Sequence, residues 1–473
     1  MLKKILGALI SSFIFVGLII IYYWRDVEYQ PQSADLINYL LILPCVVTVI
    51  LLLPWLIFKV YRHYKNKNEN ILPSEQEKIA ESLSTVKESK WIELNLFANT
   101  AYNSIGENEV ILDGIRAFTS PQLDPHLLNH HGLPILSYRI NELDQQVEDQ
   151  EQEEEELVPL SVRQQRIMAM IHHQIDQHVE LLDSISNHLK RSSLFYESQN
   201  LHEYRMHPAW TDPSFSVEDE SEAVEIEPVY RLDQFNIDIL LSEDLVHIWN
   251  DQICNESIQK TLFELGMIPQ KFHIEYHYLS SESAESNLIE VLSRIQNQAH
   301  EITFMIVADS EIDQEFVDEK YWINHSYIPA EFIGSCCLAS PAMQLEQQHP
   351  LKKLKLVTDQ NSLDQIFKEL DIHDLPQYQA EEPFVLVVDD VTEIKVIKNL
   401  EQFFAQSPIE QHHYLYCKSI VGHTQSIAKI FGLMLGAHFS DQNLAFVYSQ
   451  NLKAFIQNVP EITPDQDSVA IAD

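Results

Sequence analysis

The sequence predicts two membrane-spanning helices followed by one layered α/β/α domain. Three observations carry this expectation: two long uncharged apolar runs within the first 60 residues, regular strand–helix alternation from residue 236 onward, and strands such as "EITFMIVADS" that are apolar almost throughout. Unbroken apolar strands belong to sheets covered on both faces, and alternation with helices supplies the covering layers. A chain of 473 residues is long enough for a membrane part and one large or two smaller soluble domains.

The first run, residues 5–24, carries no charge and would span roughly 30 Å as a helix. A cleaved leader is the rival reading, because Lys3 and Lys4 precede the run. Its long core favours a retained helix instead. It ends in Tyr22, Tyr23 and Trp24, an interfacial belt, with no small-residue cleavage pattern. The second run, 36–58, contains Pro44 and Pro54, which a membrane helix absorbs as kinks. Lys59, Arg62, Lys65 and Lys67 follow it, while the short loop holds Arg25 against Asp26, Glu28 and Asp35. Positive flanks stay inside, so the expected topology is a multi-pass inner-membrane protein with both termini cytoplasmic. The periplasmic loop is then too short to form a ligand-binding domain, which argues against a sensor.

The expected organisation is 1–60 for the two spans, 61–90 for a polar linker, 91–455 for the α/β domain and 456–473 for a tail. Acidic insertions are expected near 148–156 and 217–228, read as solvated loops or docking sites for a basic partner. The net charge of −40 excludes a nucleic-acid partner, because phosphate binding needs clustered Lys and Arg. The cysteines, Cys45, Cys254, Cys336, Cys337 and Cys417, show no CxxC spacing and read as reduced, buried thiols.

Within the domain, "WIELNLFANT" (91–100) alternates as a strand. Val162, Ile167, Ile171, Ile175, Val179, Leu182, Ile185 and Leu189 draw one apolar helical stripe, with Ser161 placed to cap it. His172 and Asp176 on that stripe have metal-binding spacing, but no further ligand pattern accompanies them; no metal and no cofactor is expected. From residue 236, strands are expected at 236–242, 271–279, 301–310, 331–340, 351–359, 383–390, 412–418 and 443–449. Helices are expected at 255–267, 285–298, 362–372, 392–406 and 424–438.

The stretch "YCKSIVGHTQSIAKIFG" (416–432) places a strand ending at Lys418, a tight Gly-His-Thr turn and an apolar helix in succession. Lys418, Ser419, Gly422, His423 and Thr424 resemble the C-terminal signature of β-ketoacyl synthases and thiolase-like condensing enzymes. Ile427 and Lys429 depart from it, standing where that family has small residues. "IPAEFIGSCCLAS" (328–340) is similar to the family's glycine-containing hairpin. The segment 285–309 is similar to its nucleophile-bearing helix and the buried strand that follows. The resemblance covers about 270–450 and implies a thiolase-like fold and a dimer paired through a sheet edge.

That chemistry uses a cysteine at a helix N-terminus and two histidines that stabilise the developing oxyanion. The resemblance assigns one histidine to His423, with Lys418 orienting it. Where the other should follow strand 383–388, the sequence reads "VVDDVTEI", placing Asp389 and Asp390 there. Where the nucleophile should lie, "LSSESAES" offers Ser280 or Ser281 and no cysteine. The nearby acids Glu282, Glu285, Asp389 and Asp390 would oppose a thiolate. Ten glycines are few for a backbone that must approach a substrate at several points.

The expected function is therefore a catalytically degenerate, membrane-anchored scaffold or adaptor with protein partners. It resembles the accessory proteins associated with type VI secretion loci. The alternative is a membrane-tethered acyltransferase or condensing enzyme with Ser280 or Ser281 as an unusual nucleophile.

Overall fold

The computed structural model describes residues 90–153, 160–204, 229–358, 363–370, 382–389, 394–405, 409–424, 427–439 and 444–459, with scattered helical positions between 15 and 43. The chain divides into two compact units, 1–88 and 89–473. Among the described residues no helix is long and apolar enough to cross a membrane. Apart from those scattered positions, the expected spans lie outside the described residues, as do the linker before Lys90 and the acidic stretch 217–228.

The second unit opens with strand β1 (Trp91–Asn103) and the short β2 (Gly106–Glu107), then helix α1 (Glu109–Arg116). The hairpin β3 (Gln122–Leu128) and β4 (Pro134–Ser137) follows. Three helices come next: α2 (Glu142–Glu153), α3 (Val162–Gln177) and α4 (Val179–Tyr204). Strict alternation then begins: β5 (Gln234–Ser242), α5 (Asp251–Glu264), β6 (Phe272–Leu279), α6 (Ala284–Asn297), β7 (Glu301–Ser310), α7 (Gln314–Ile323) and β8 (Glu331–Ala339). A second series runs β9 (Lys352–Val357), α8 (Leu363–Glu369), β10 (Val385–Val387), α9 (Ile394–Phe404), β11 (Tyr414–Tyr416), α10 (Ala428–Leu435), β12 (Ala445–Tyr448) and β13 (Lys453–Asn458).

The strands order as β11-β10-β12-β13-β9-β1-β8-β7-β5-β6. This is one pattern used twice. Numbered within its own half, each set of five strands lies in the order 3-2-4-5-1. In each half the second, third and fourth strands are parallel, and the fifth runs antiparallel to both its neighbours. Antiparallel pairing of β1 with β9 joins the halves. Strand–helix alternation favours parallel pairing, yet the sheet is parallel only within each three-strand block. A short connection over 449–452 reverses the chain between β12 and β13, whereas β7 and β8 pair antiparallel across a longer connection that contains α7.

Side-chain parity sorts these strands into layers. On β7, Met305 and Val307 face a core shared by α6 and α10, while Phe304 and Ile306 face the core under α3, α4 and α5. On β12, Val447 faces the shared core and Phe446 and Tyr448 face the one under α8 and α9. Period-two alternation in strands buried on both faces explains why each half reads as almost continuously apolar. Helices α6 and α10 lie in the middle, with sheet and outer helices on either side.

Three expectations are corrected. The stripe from Val162 to Leu189 is two helices, broken at His178 (φ −110°, ψ 16°), whose ring turns inward to Ser335 and Thr100, each at 3.0 Å. The acidic run expected as a loop is helical up to Glu153, since it is built of good helix formers with neither Gly nor Pro to stop it. The domain boundary set at 455 falls inside β13, which continues to Asn458. Strands β3 and β4 and helices α1 and α7 were not expected at all.

Candidate functional site

The Lys418–Thr424 turn closes on itself. After β11 the chain makes a 3₁₀ turn over Cys417–Ile420 and reverses at Gly422, whose φ of +56° lies in the left-handed region. A Cβ at Gly422 would run into the Ile328 carbonyl oxygen, so glycine is required on both counts. That close approach lets two backbones lock together. The His423 N–H donates to Ile328 O at 3.0 Å, and the Ile328 N–H donates to His423 Nδ1 at 2.8 Å. With Nδ1 accepting, the neutral ring carries its proton on Nε2. Lys418 Nζ donates to the Thr424 carbonyl, and Thr424 Oγ1 donates to Val421 O at 2.6 Å. Below the turn Ile427 and Phe431 are fully buried, with Phe431 packed on Phe332 at 4.7 Å between ring centres.

Asp389 lies at the end of the β10 segment, 4% exposed, in an ion pair with Lys429 Nζ at 2.7 Å. Its other oxygen accepts the Gln450 N–H at 2.8 Å. Lys429 also reaches Glu285 in the first turn of α6, at 2.8 Å. Glu285 further accepts from Ser449 Oγ and Asn451 Nδ2, each at 2.8 Å. Burial alone would raise the Glu285 carboxyl, but Lys429 and these hydrogen bonds outweigh it and hold it below its ordinary value. Burial likewise opposes the Lys429 charge, and its bonds to Asp389 and Glu285 raise it nonetheless. Lys429 therefore bridges two buried carboxylates. Asp390 lies outside the described residues.

The serines ahead of α6 divide. Ser280 is tied into the helix start: its Oγ donates to Ser283 Oγ at 3.0 Å and accepts the Ser283 N–H at 3.2 Å. Ser281 is exposed and lines a cavity of about 310 Å³ together with His423. Asp389 is not among the residues lining it. The structure thus brings Ser281 and His423 to one space and places Asp389 in a separate network with Lys429.

Residues with no role expected from sequence also line this cavity: Asp244, Asp309, Glu311, Lys320 and Tyr327. The signal was present, since "VADSEI" puts two acids at the end of an apolar strand. Asp309 pairs with Arg163 of α3 at 3.0 Å. Burial and the neighbouring Asp309 charge push Glu311 up to about 8.

The thiols offer no activated nucleophile among the described residues. Cys254, Cys336, Cys337 and Cys417 are all buried and unbridged. Burial pushes Cys254 and Cys417 up to about 12 and raises Cys336 and Cys337 as well, which keeps them protonated. His172 contacts Ser257 Oγ at 2.7 Å, while Asp176 is exposed. One cluster with metal-like spacing does occur: Asp238, Glu275 and His277 bring one atom each within 4.8 Å of one another. Arg294 already bridges its carboxylates, at 2.8 Å from both Asp238 oxygens and 2.6 Å from Glu275. That cluster is an ion-pair knot.

Fold and site together define a duplicated, mixed α/β protein with a polar cavity where its halves meet. No protein-family model matches the sequence, and no curated protein matches it. Among solved structures the chain is similar to the ketosynthase from module 6 of the bacillaene synthase from Bacillus subtilis 168. That enzyme matches at 8% identity and TM-score 0.43, covering 77% of this chain and 71% of its own. A form of it with one cysteine replaced by serine matches at 10% and 0.42, covering 78% and 72%. The chain is also similar to a type III pentaketide synthase from Neurospora crassa, at 7% identity and TM-score 0.29, covering 49% and 74%.

Proposed function

We propose that this chain is a catalytically degenerate, thiolase-like protein, anchored in the inner membrane with its domain on the cytoplasmic side, that works by binding partners. The observation carrying this reading is the bridge of Lys429 between Asp389 and Glu285. At the position where the condensing-enzyme resemblance requires a histidine, Asp389 is committed to an ion pair and a backbone hydrogen bond. Neither partner of that pair can donate to an oxyanion without breaking the network. The thiolase-like assignment is supported by the doubled 3-2-4-5-1 strand order and by the strand-Lys-Gly-His-Thr-helix sequence in its second half.

An adaptor of the kind associated with type VI secretion loci fits the acid-rich sequence 148–156, which suits a basic protein partner. A homodimer through the edge strand β6 belongs to the same reading, because that strand ends the sheet with its outer hydrogen-bonding side unpaired among the described residues. The test is affinity capture of the full-length chain from detergent-solubilised membranes. Recovery of a stoichiometric partner that is lost on neutralising the acids of 148–156 is the expected result. Recovery of the chain alone would count against the adaptor.

A second reading has one observation in its favour: Ser281 and His423 line the same cavity. In it, the Ser281 hydroxyl attacks a thioester carbonyl, the His423 Nε2–H stabilises the oxyanion, and the C–S bond breaks to release the thiol, which takes the serine's proton. Mass spectrometry after incubation with an acyl-thioester probe decides this. An acyl adduct on Ser281, absent in His423→Ala, would establish the enzyme; an unmodified serine leaves binding as the function.

A further inference from the structure

The carboxyl ends of β5, β6 and β7 open on the cavity that holds Ser281 and His423. From β5 the chain moves outward to β6 and then back across to β7 on the other side. The cavity therefore lies where strand order reverses, the position at which open α/β sheets hold their ligands. At about 310 Å³ it is at the small end of ligand-pocket size.

Its walls carry an excess of acid. Asp309 and Glu311, at the end of β7, are 3% and 5% exposed, and Glu243 and Asp244 follow β5 directly. Two countercharges are in place and both are occupied. Arg163 holds Asp309 at 3.0 Å and the Ser310 carbonyl at 2.6 Å, and Lys320 lies 3.5 Å from Asp244. Glu311 makes no ion pair among the described residues; it accepts a long 3.4 Å bond from the Ala330 N–H and feels the Arg163 charge and the Tyr327 hydroxyl at longer range. Beside it stands Tyr327, 6% exposed, packed against the His423 ring at 5.4 Å. The Tyr327 hydroxyl faces Glu311 yet is buried without a hydrogen bond of ordinary geometry. With no ion pair to hold its charge Glu311 stays protonated, and the buried Tyr327 hydroxyl beside it has no partner of ordinary geometry. A donor that carries positive charge satisfies both groups.

We propose that this cavity binds a compact organic cation, a primary ammonium or guanidinium on a short chain, with Glu311 supplying the countercharge and the Tyr327 hydroxyl accepting one N–H. A bare metal ion is a poor fit. Among the described residues the one trio of potential ligands with convergent atoms is Asp238, Glu275 and His277, and it lies outside the cavity lining. An anion would meet Glu243, Asp244, Asp309 and Glu311 together. The inference concerns the cavity named above but does not rest on loss of catalysis: acyl labelling reads Ser281, whereas cation binding reads Glu311 and Tyr327.

Binding requires Glu311 to give up its proton. The charged and titratable groups around it are Asp309 on its own strand end, Arg163 of α3, Tyr327 and His423 from the two loops, Glu243 and Asp244 after β5, and Lys320 of α7. Because burial and Asp309 hold Glu311 protonated below about pH 8, cation affinity rises as pH increases through that value.

The test is isothermal titration of the full-length chain in detergent with n-butylammonium, putrescine and n-butylguanidinium, with n-butanol and butyrate as isosteric controls. Expected is one-site saturable binding of at least one cation and of neither control, with proton release seen by comparing buffers of different ionisation enthalpy. Glu311→Gln and Tyr327→Phe should each weaken it by about tenfold or more. Tyr327→Phe preserves ring packing, so its effect reports on the hydroxyl even where the Gln variant folds poorly. Three results would overturn the proposal: no cation saturates, butanol binds as well as the cations, or Tyr327→Phe binds as the unaltered chain does.

Discussion

Lys429 Nζ sits 2.7 Å from Asp389 Oδ1 and ties the end of the β10 segment to the central helix α10. Two positions that each break the condensing-enzyme pattern thus satisfy one another. The Lys429 side chain is 29% exposed, against 5% for Asp389 and 10% for Glu285, so the anions are the buried members. Lys429→Met strands both and should cost about 2–3 kcal/mol in urea unfolding, below the cost for a fully enclosed pair. Adding Asp389→Asn and Glu285→Gln should restore more than half of the loss. A change within about 0.5 kcal/mol for the single variant would mean that water screens the network.

Gly422 and Gly132 both have positive φ, +56° and +72°, but differ in surroundings. Gly132 has nothing within 4 Å of a would-be Cβ, so Gly132→Ala incurs only backbone strain, about 1 kcal/mol. Gly422→Ala adds collision with the Ile328 carbonyl and must break the two His423–Ile328 hydrogen bonds. Its loss of stability should exceed that of Gly132→Ala by about 2 kcal/mol. Equal losses in chemical denaturation would show that loop 328 yields easily.

A cysteine placed at Ser281 tests whether the helix start still activates a nucleophile. Glu243, Asp244 and Asp309 share its cavity and disfavour a thiolate. The thiol of Ser281→Cys should therefore alkylate with iodoacetamide at pH 7 more slowly than a free cysteine does. Alkylation several-fold faster than the free amino acid would reveal an activating field and revive the enzyme reading.

Two buried groups give the stability profile opposite slopes. Burial lowers His178 to about 4, so the stability it contributes is complete above its ordinary value of 6.5 and is lost as pH falls from there towards 4. Glu311 is raised to about 8, so its contribution is complete below 4.5 and is lost as pH rises from there through 8. In Tm measured across pH, His178→Gln should flatten the acid limb and Glu311→Gln the alkaline limb. An unchanged alkaline limb in Glu311→Gln would mean that this carboxyl is already ionised at neutral pH.

Much of the fold was legible because local signals agreed with one another. "EITFMIVADS" and "KFHIEYHYL" are bounded by turns and helical stripes, so their strands fell within a residue of expectation. The hairpin β3–β4 was not legible: "QLDPHLL" alternates poorly and contains Pro125. Helix α2 was hidden by its charge, and the break at His178 by an apolar stripe that continues across it. At the site, Gly422, His423 and Lys418 stood out as a local motif, whereas Glu311 and Tyr327 looked like the end of a strand and an ordinary loop tyrosine.

By itself the sequence determined the alternation of strands and helices, the tight turn at Gly422 and the absence of a cysteine ahead of α6. Each of these is written in neighbouring residues, through periodicity, φ preference or plain identity. Only the tertiary structure decided that Asp389 pairs with Lys429, that Ser281 and His423 face one cavity, and that Glu311 lies beside Tyr327 without a cation. The reason is distance along the chain. These contacts join residues 16 to 142 positions apart, and which of many acids and bases meet is fixed by strand order and crossover, which no local pattern encodes.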